Sequence, residues 1–182
     1  MDNGQHRKAE GSCFADKDAA RQAIALVSPM LEAAIKDRRV CESGFLYVVI
    51  MDPGLTPDVC GFGQAILHEH AVGDRTQWDA DYAAFARDKA RVCWRTQRNG
   101  HTVRQLMPHL LHPSDSGLWG GVCIEGIVVG VSGASAWYDE AFAAAIAHGL
   151  KAVAKSRALT QAESPTLTYY QASAASARGP AI

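Results

Sequence analysis

Apolar residues recur at three- and four-residue steps in three stretches of the chain, and this spacing predicts three amphipathic helices. They cover about residues 16–38, 79–97 and 136–156. The third is the clearest, because acidic residues occupy its first turn and lysines its last turns. Pro29 lies inside the first stretch, where it removes a backbone donor, so we expect a kink or a break there.

Runs rich in β-branched residues predict four strands between these helices. They cover residues 45–51, 62–71, 119–124 and 127–132. The last two flank Glu125-Gly126, a two-residue connection typical of a hairpin. The order helix, strand, strand, helix, strand, strand, helix predicts an α+β fold in which helices cover an antiparallel sheet.

The ends of the chain differ in composition from its middle. Residues 1–15 are polar and predict a flexible N-terminal arm, whereas residues 160–182 are rich in Ala, Ser and Thr and predict a C-terminal tail. The folded domain is expected over residues 16–159. Within it, residues 101–118 form a long connection of the kind that more often lines a site than fills a core.

Composition narrows the class of protein further. The 182 residues are 48% hydrophobic and 20% charged, as in an ordinary folded domain, and the formal charge of −1 argues against a nucleic-acid partner. The longest apolar runs are far shorter than the roughly 20 residues that cross a bilayer, so no membrane partner is expected. The first twenty residues have scattered charges and no apolar core, which predicts a cytoplasmic location. Five cysteines without a C-x-x-C pair predict reduced thiols.

A glycine-rich segment carries a family resemblance. The run GGVCIEGIVVGVSGASAWYDE, residues 120–140, combines a Gly-Gly pair, two short strands, a Gly-x-Ser-Gly end and an acidic pair that opens a helix. This pattern resembles the GlcG/HbpS-like family, which includes haem-binding proteins and the C-terminal domain of PduO-type proteins. Residues 48–54 look like the family's strand with its terminal Asp-x-Gly turn, and residues 85–96 look like its central Ala/Lys/Arg helix. The resemblance covers about residues 18–157.

The resemblance implies a profilin-like sandwich on an antiparallel sheet of about five strands. It also implies a homo-oligomer, and haem or a related tetrapyrrole as a possible cofactor. The chain departs from the family pattern at two places. Cys123 replaces a proline, and the run HEHAVGD at residues 68–74 replaces an Arg-Met-Asp-Gly-Ala-like turn near the expected ligand site.

Four histidines are candidate ligand-binding residues. His68 and His70 alternate along a predicted strand and therefore share a face, where they could bind a metal or ligate haem iron. The alternative is a polar strand edge without a ligand. His109 and His112 lie in the long connection and could close over a pocket, or could belong to a solvated loop. No other residue stands at a spacing that would complete a tetrahedral zinc set, so no metal site is predicted.

Four residues of the glycine-rich segment are candidates for a pocket at the start of the last helix: Gly120, Gly121, Ser132 and Gly133. Glycine permits close approach of a ligand, and helix amides there favour an anionic group. The alternative is that these glycines make tight turns. Asp139 and Glu140 would repel a second anion unless their side chains turn away.

Together these features favour a small-ligand-binding protein of the GlcG/HbpS-like type, with haem as the first candidate. Two other classes stay open. One is an enzyme that acts on a small organic acid or aromatic metabolite through histidine acid–base chemistry. The other is a structural oligomer whose pocket is vestigial.

Overall fold

One antiparallel sheet organises the computed structural model, which describes residues 10–161. Its order is β2-β1-β4-β3, with β2 and β3 at the edges. The strands are β1 (Leu46–Met51), β2 (Ile66–Val72), β3 (Gly121–Ile124) and β4 (Ile127–Ser132). The helices are α1 (Lys17–Ala34), α2 (Phe62–Ala65), α3 (Tyr82–Thr96), α4 (Gly100–Leu106) and α5 (Ala136–Thr160).

Helices cover both faces of the sheet, so both central strands are buried along their whole length. In β1, Val48 points into the core shared with α1 and α5, and Val49 points into the core shared with α3. This alternation follows from the two-residue period of a strand. The predicted α+β class and the antiparallel sheet flanked by helices are confirmed. The described residues form four strands, one fewer than the five expected from the resemblance.

Helices α1 and α5 pack against each other and are tied at one end through Asp16. This side chain caps α1 by accepting from the Ala19 amide at 2.8 Å, and Arg157 of α5 donates to the same carboxylate at 2.6 Å. Pro29 does not break α1, which continues to Ala34. Of the two outcomes expected at Pro29, a kink or a break, the break does not occur, because packing of the apolar face on α5 and the sheet outweighs the loss of one backbone hydrogen bond.

Two other local predictions differ from the structure. Residues 62–65 form the short helix α2, so the second strand begins at Ile66 rather than at Phe62. The long connection expected over residues 101–118 is partly helical, since Gly100–Leu106 form α4. These two helices have only four and seven residues, which are too few to show a helical period in the sequence.

The two chain termini fall partly outside the described residues. Within the arm expected over residues 1–15, the Ser12 amide donates to Asp52 at 2.8 Å and Ala15 is buried. Residues 1–9 and nearly all of the tail expected over residues 160–182 lie outside the described range. Across the part that is described, no helix combines the length and apolar character needed to span a membrane. All five cysteines are free thiols, and only Cys13 is exposed.

Candidate functional site

A buried ion pair fixes the start of α5 against α3. Lys89 Nζ lies 2.6 Å from Asp139 Oδ2, and the two side chains are 4% and 0% exposed. The ammonium group also donates to the Val131 carbonyl oxygen at 3.0 Å and lies 3.3 Å from Ser132 Oγ. The second carboxylate oxygen of Asp139 accepts from the Ala134 amide at 3.0 Å. The pair therefore joins α3, the end of β4 and the loop that enters α5.

Burial is the main influence on the Asp139 carboxyl and raises its pKa to about 6, an effect that Lys89 partly opposes. Near neutral pH the carboxylate is ionised and satisfied by the lysine and the Ala134 amide. Because Asp139 points into the core, it presents no charge to the surface at the start of α5. In this orientation Asp139 does not repel an anionic ligand bound there.

Two of the predicted site glycines serve packing rather than a cavity. A Cβ atom on Gly120 would lie 2.6 Å from Asp139 Cβ, and one on Gly121 would lie 3.0 Å from Cys93 Sγ. Gly130 is similar, since its Cβ would lie 2.5 Å from the Ala86 carbonyl oxygen. These glycines let α3 and α5 approach the sheet closely. Ser132, also predicted for the site, is buried beside Lys89.

Gly133 is the predicted glycine that does line a cavity. A cavity of about 520 Å³, here called the α5 cavity, lies at the N-terminal end of α5. Its lining residues are Arg38, Glu42, Ser43, Asp79, Tyr82, Gly133, Ala134 and Ser135. Gly133 has φ +134°, and a Cβ there would lie 1.9 Å from the Phe45 carbonyl oxygen, so only glycine fits.

Positive charge lies beside this cavity from two sources. The segment of residues 133–135 that leads into the N-terminal end of α5 lines the cavity, and the Ser135 hydroxyl makes no capping bond to the helix. From the other side comes the exposed guanidinium of Arg38, which also donates to the Glu42 carbonyl oxygen. An anionic group bound here would meet both the helix dipole and the Arg38 charge.

Acceptors and an aromatic wall complete the lining. The Tyr82 hydroxyl donates to Asp79 at 2.6 Å, and burial together with this bond raises the pKa of the phenol, so it stays protonated at neutral pH. The Tyr82 ring packs edge-on against Trp78 at 5.6 Å and lies 6.1 Å from Phe45. The carboxylates of Asp79 and Glu42 leave the lining with one cation and two anions.

His68 and His70 lie together on edge strand β2, as predicted. They pair with Ile50 and Val48 of β1 and so face the α1 side of the sheet. Their ring centroids are 6.3 Å apart with the planes tilted by 28°. Glu69 points to the other face, where Arg87 holds its two carboxylate oxygens at 2.7 and 2.9 Å. Burial lowers the pKa of both histidines.

His109 and His112 lie elsewhere, in the exposed connection between α4 and β3. That connection is fastened to α3, since Arg95 makes two bonds to Asp115 and one to the Leu110 carbonyl oxygen, and Asp115 also accepts from the His112 amide. The predicted site histidines therefore form one pair on β2 and a separate exposed pair, and neither pair lines the α5 cavity.

Haem requires an axial ligand and a largely apolar slot. Four cavities on the described part of the chain, of about 520, 480, 360 and 390 Å³, have no histidine in their linings. The α5 cavity is polar, so its residues do not fit haem. Across residues 10–161 there is also no group of three or more His, Cys, Asp or Glu side chains placed to hold a metal ion.

Three important residues of this region were not among the predicted site residues. Lys89 stands at the spacing of the apolar stripe formed by Ala86, Ala90 and Cys93, and a lysine on such a stripe signals a buried partner. Arg38 and Tyr82 carry no local signal, because the chain folds them together from separate helical and loop segments.

Comparisons of this chain with family models, with curated proteins and with solved structures find no match.

Proposed function

We propose that this protein binds a small monocarboxylic acid that also carries a hydroxyl or amino group, and that the ligand occupies the α5 cavity. The observation that carries the proposal is the placement of Arg38 and of the segment that leads into the N-terminal end of α5 at one cavity. The guanidinium and the positive end of the helix dipole suit a carboxylate. The acceptors Asp79 and Glu42 on the same lining suit the donor groups of the ligand.

The charge balance of the lining selects among anions. Two carboxylates face one guanidinium, so a dicarboxylate or a phosphate would bring two negative charges next to Asp79 and Glu42. A hydroxy acid or an amino acid brings one negative charge and a compensating donor. The volume of about 520 Å³ is within the ordinary range for small-molecule sites.

The GlcG/HbpS-like resemblance extends this proposal to the rest of the molecule. It supports a profilin-like sandwich, a homo-oligomer and haem as an alternative ligand, whereas the composition of the first twenty residues supports a cytoplasmic location. Because no histidine lines the α5 cavity, haem would need another part of the molecule. A small acid is therefore the ligand that the geometry favours.

An enzyme acting on a small organic acid or aromatic metabolite is the second candidate function. The specific observation behind it is the Tyr82–Asp79 hydrogen bond of 2.6 Å at the cavity wall. A phenol held by a carboxylate is a possible proton donor. In this alternative Tyr82 takes the acid–base role that the sequence assigned to histidines.

A thermal-unfolding screen tests the proposal. The panel contains amino acids, small hydroxy acids, dicarboxylates, inorganic phosphate and haemin. A ligand at 100 times its dissociation constant adds about 2.7 kcal/mol to the stability of the folded state. We expect amino or hydroxy monocarboxylates to raise the unfolding temperature and dicarboxylates and phosphate to leave it unchanged. Stabilisation by haemin alone, with a Soret band, or by no compound would refute the proposal.

A further inference from the structure

A second chemical feature lies on the edge of the sheet, at residues that do not line the α5 cavity. His68 and His70 project from the same face of β2, and the neighbour of this strand within the described sheet is β1 alone. Both side chains are half-buried, so one flank of each ring is accessible. The two imidazoles are nearly parallel, with centroids 6.3 Å apart.

The ring nitrogens of both histidines are available. Neither imidazole makes a hydrogen bond or an ion pair within residues 10–161, and neither has a nitrogen among the fully buried atoms that lack a partner. Their nitrogens therefore reach solvent. The two imidazoles lie on a strand that packs under α1 and have no hydrogen-bond partner in the described protein, so they are free to bind an external ligand.

We infer that His68 and His70 chelate one divalent transition-metal ion of the class that prefers imidazole, such as Ni²⁺, Zn²⁺ or Cu²⁺. Zinc–nitrogen bonds are about 2.0–2.1 Å long, so two nitrogens on one tetrahedral ion stand about 3.3 Å apart. Rings at 6.3 Å between centroids reach this separation by rotation about their side-chain bonds. Unlike haem, a bare ion needs no apolar slot.

The surrounding charges define the kind of site. Glu69 faces the opposite side of the sheet and is held by Arg87, so it is not a ligand. Lys17 and Arg21 of α1 act on His68 electrostatically, and Arg21 is paired with Asp18. Two histidines leave the other coordination positions of the ion to water or a small anion. Lys17 and Arg21 would balance the negative charge of such an anion. The site is thus open and exchangeable, unlike a closed structural zinc site.

Calorimetric titration with NiCl₂ tests the inference, in a Cys13→Ser background that removes the exposed thiol. We expect Ni²⁺ to bind and Mg²⁺, which prefers oxygen ligands, to give no heat. His68→Gln and His70→Gln should each weaken Ni²⁺ binding roughly tenfold or more, because each removes one of two ligands. His148→Gln, which changes an exposed lone histidine on α5, and the double variant His109→Gln/His112→Gln are the matched controls.

Nuclear magnetic resonance on the unmutated protein keeps the test independent of folding defects. Paramagnetic Ni²⁺ at substoichiometric amounts should broaden the imidazole signals of His68 and His70 before those of other histidines. Equal Ni²⁺ affinity in the β2 variants and the controls, or broadening that begins at His109 and His112, would overturn the inference. Neither result bears on the acid-binding proposal, whose residues are separate.

Discussion

Lys89 and Asp139 show how single residues set the geometry of the candidate site. Their charges lie in the core, where an unpaired ion would be costly, and each is satisfied by the other and by backbone groups. Ala134, whose amide donates to Asp139, is one of the residues that line the α5 cavity. The shape of the cavity therefore depends on a pair of side chains that the ligand does not touch.

Breaking this pair should cost far more than replacing it. Lys89→Met leaves a buried carboxylate and Asp139→Leu leaves a buried ammonium, so each should lower the free energy of unfolding by about 3–5 kcal/mol. The double variant Lys89→Met/Asp139→Leu should lie much closer to the unmutated protein. Urea unfolding of all four proteins measures the coupling energy of the pair. Strictly additive losses would contradict the buried-pair interpretation.

A matched glycine pair separates packing from backbone strain. Gly120 and Gly126 both have positive φ, +134° and +84°, but only Gly120 faces another atom, Asp139 Cβ at 2.6 Å from the added carbon. Gly126→Ala should therefore cost about 1 kcal/mol from strain alone. Gly120→Ala should cost about 2–4 kcal/mol, because overpacking is added. Equal losses in urea unfolding would show that Gly120 is a turn residue only.

Among the elements, those with a strong period were predictable from the sequence. The α1, α3 and α5 patterns and the β3–β4 hairpin follow directly from apolar spacing and from Glu125-Gly126. Short elements such as α2 and α4 were not predictable, because four to seven residues carry too little periodicity. The α5 cavity depends on tertiary contacts between Arg38, Tyr82 and Gly133, for which no local spacing rule exists.

Strand β2 should make the protein sensitive to mild acid. Burial lowers the pKa of His68 and His70 below the value of about 6.5 that they have when unfolded. The unfolded state therefore binds more protons, so this contribution to stability is present above pH 6.5 and is lost as the pH falls through the folded pKa.

The double variant His68→Gln/His70→Gln isolates this effect, because every other titrating group is common to both proteins. Between pH 7.5 and about pH 5, the unmutated protein should lose more unfolding free energy than the variant. Urea unfolding in buffer with a chelator measures both profiles without bound metal. Parallel profiles would show that the histidines have ordinary pKa values.

At the scale of the whole molecule, the two edges of the sheet differ. At β3, the Asn99 side chain accepts from the Cys123 amide at 2.9 Å, so this edge is partly covered. At β2, the described sheet ends with one neighbouring strand. An open edge of this kind is a surface that a second copy can cover.

The protein is therefore expected to form a homo-oligomer, as the family resemblance also implies. Sedimentation equilibrium at micromolar concentration should give a mass at least twice the 19.5 kDa of one chain. Because a self-complementary interface is saturable, the mass should rise with concentration to a plateau. A constant mass of one chain over the whole concentration range would rule out assembly.

Calorimetric titration of the acid selected by the thermal screen into two arginine variants tests whether the ligand binds in the α5 cavity. Arg38→Gln alters the α5 cavity, and Arg98→Gln alters the cavity of about 480 Å³ beside β3. Both arginines are exposed and both donate to a nearby carbonyl oxygen, so they are closely matched. We expect Arg38→Gln to weaken binding of the acid by roughly tenfold or more, because a charge-assisted bond is lost, and Arg98→Gln to leave the affinity unchanged. Equal affinities in the two variants, or a loss confined to Arg98→Gln, would contradict the assignment of the ligand to the α5 cavity.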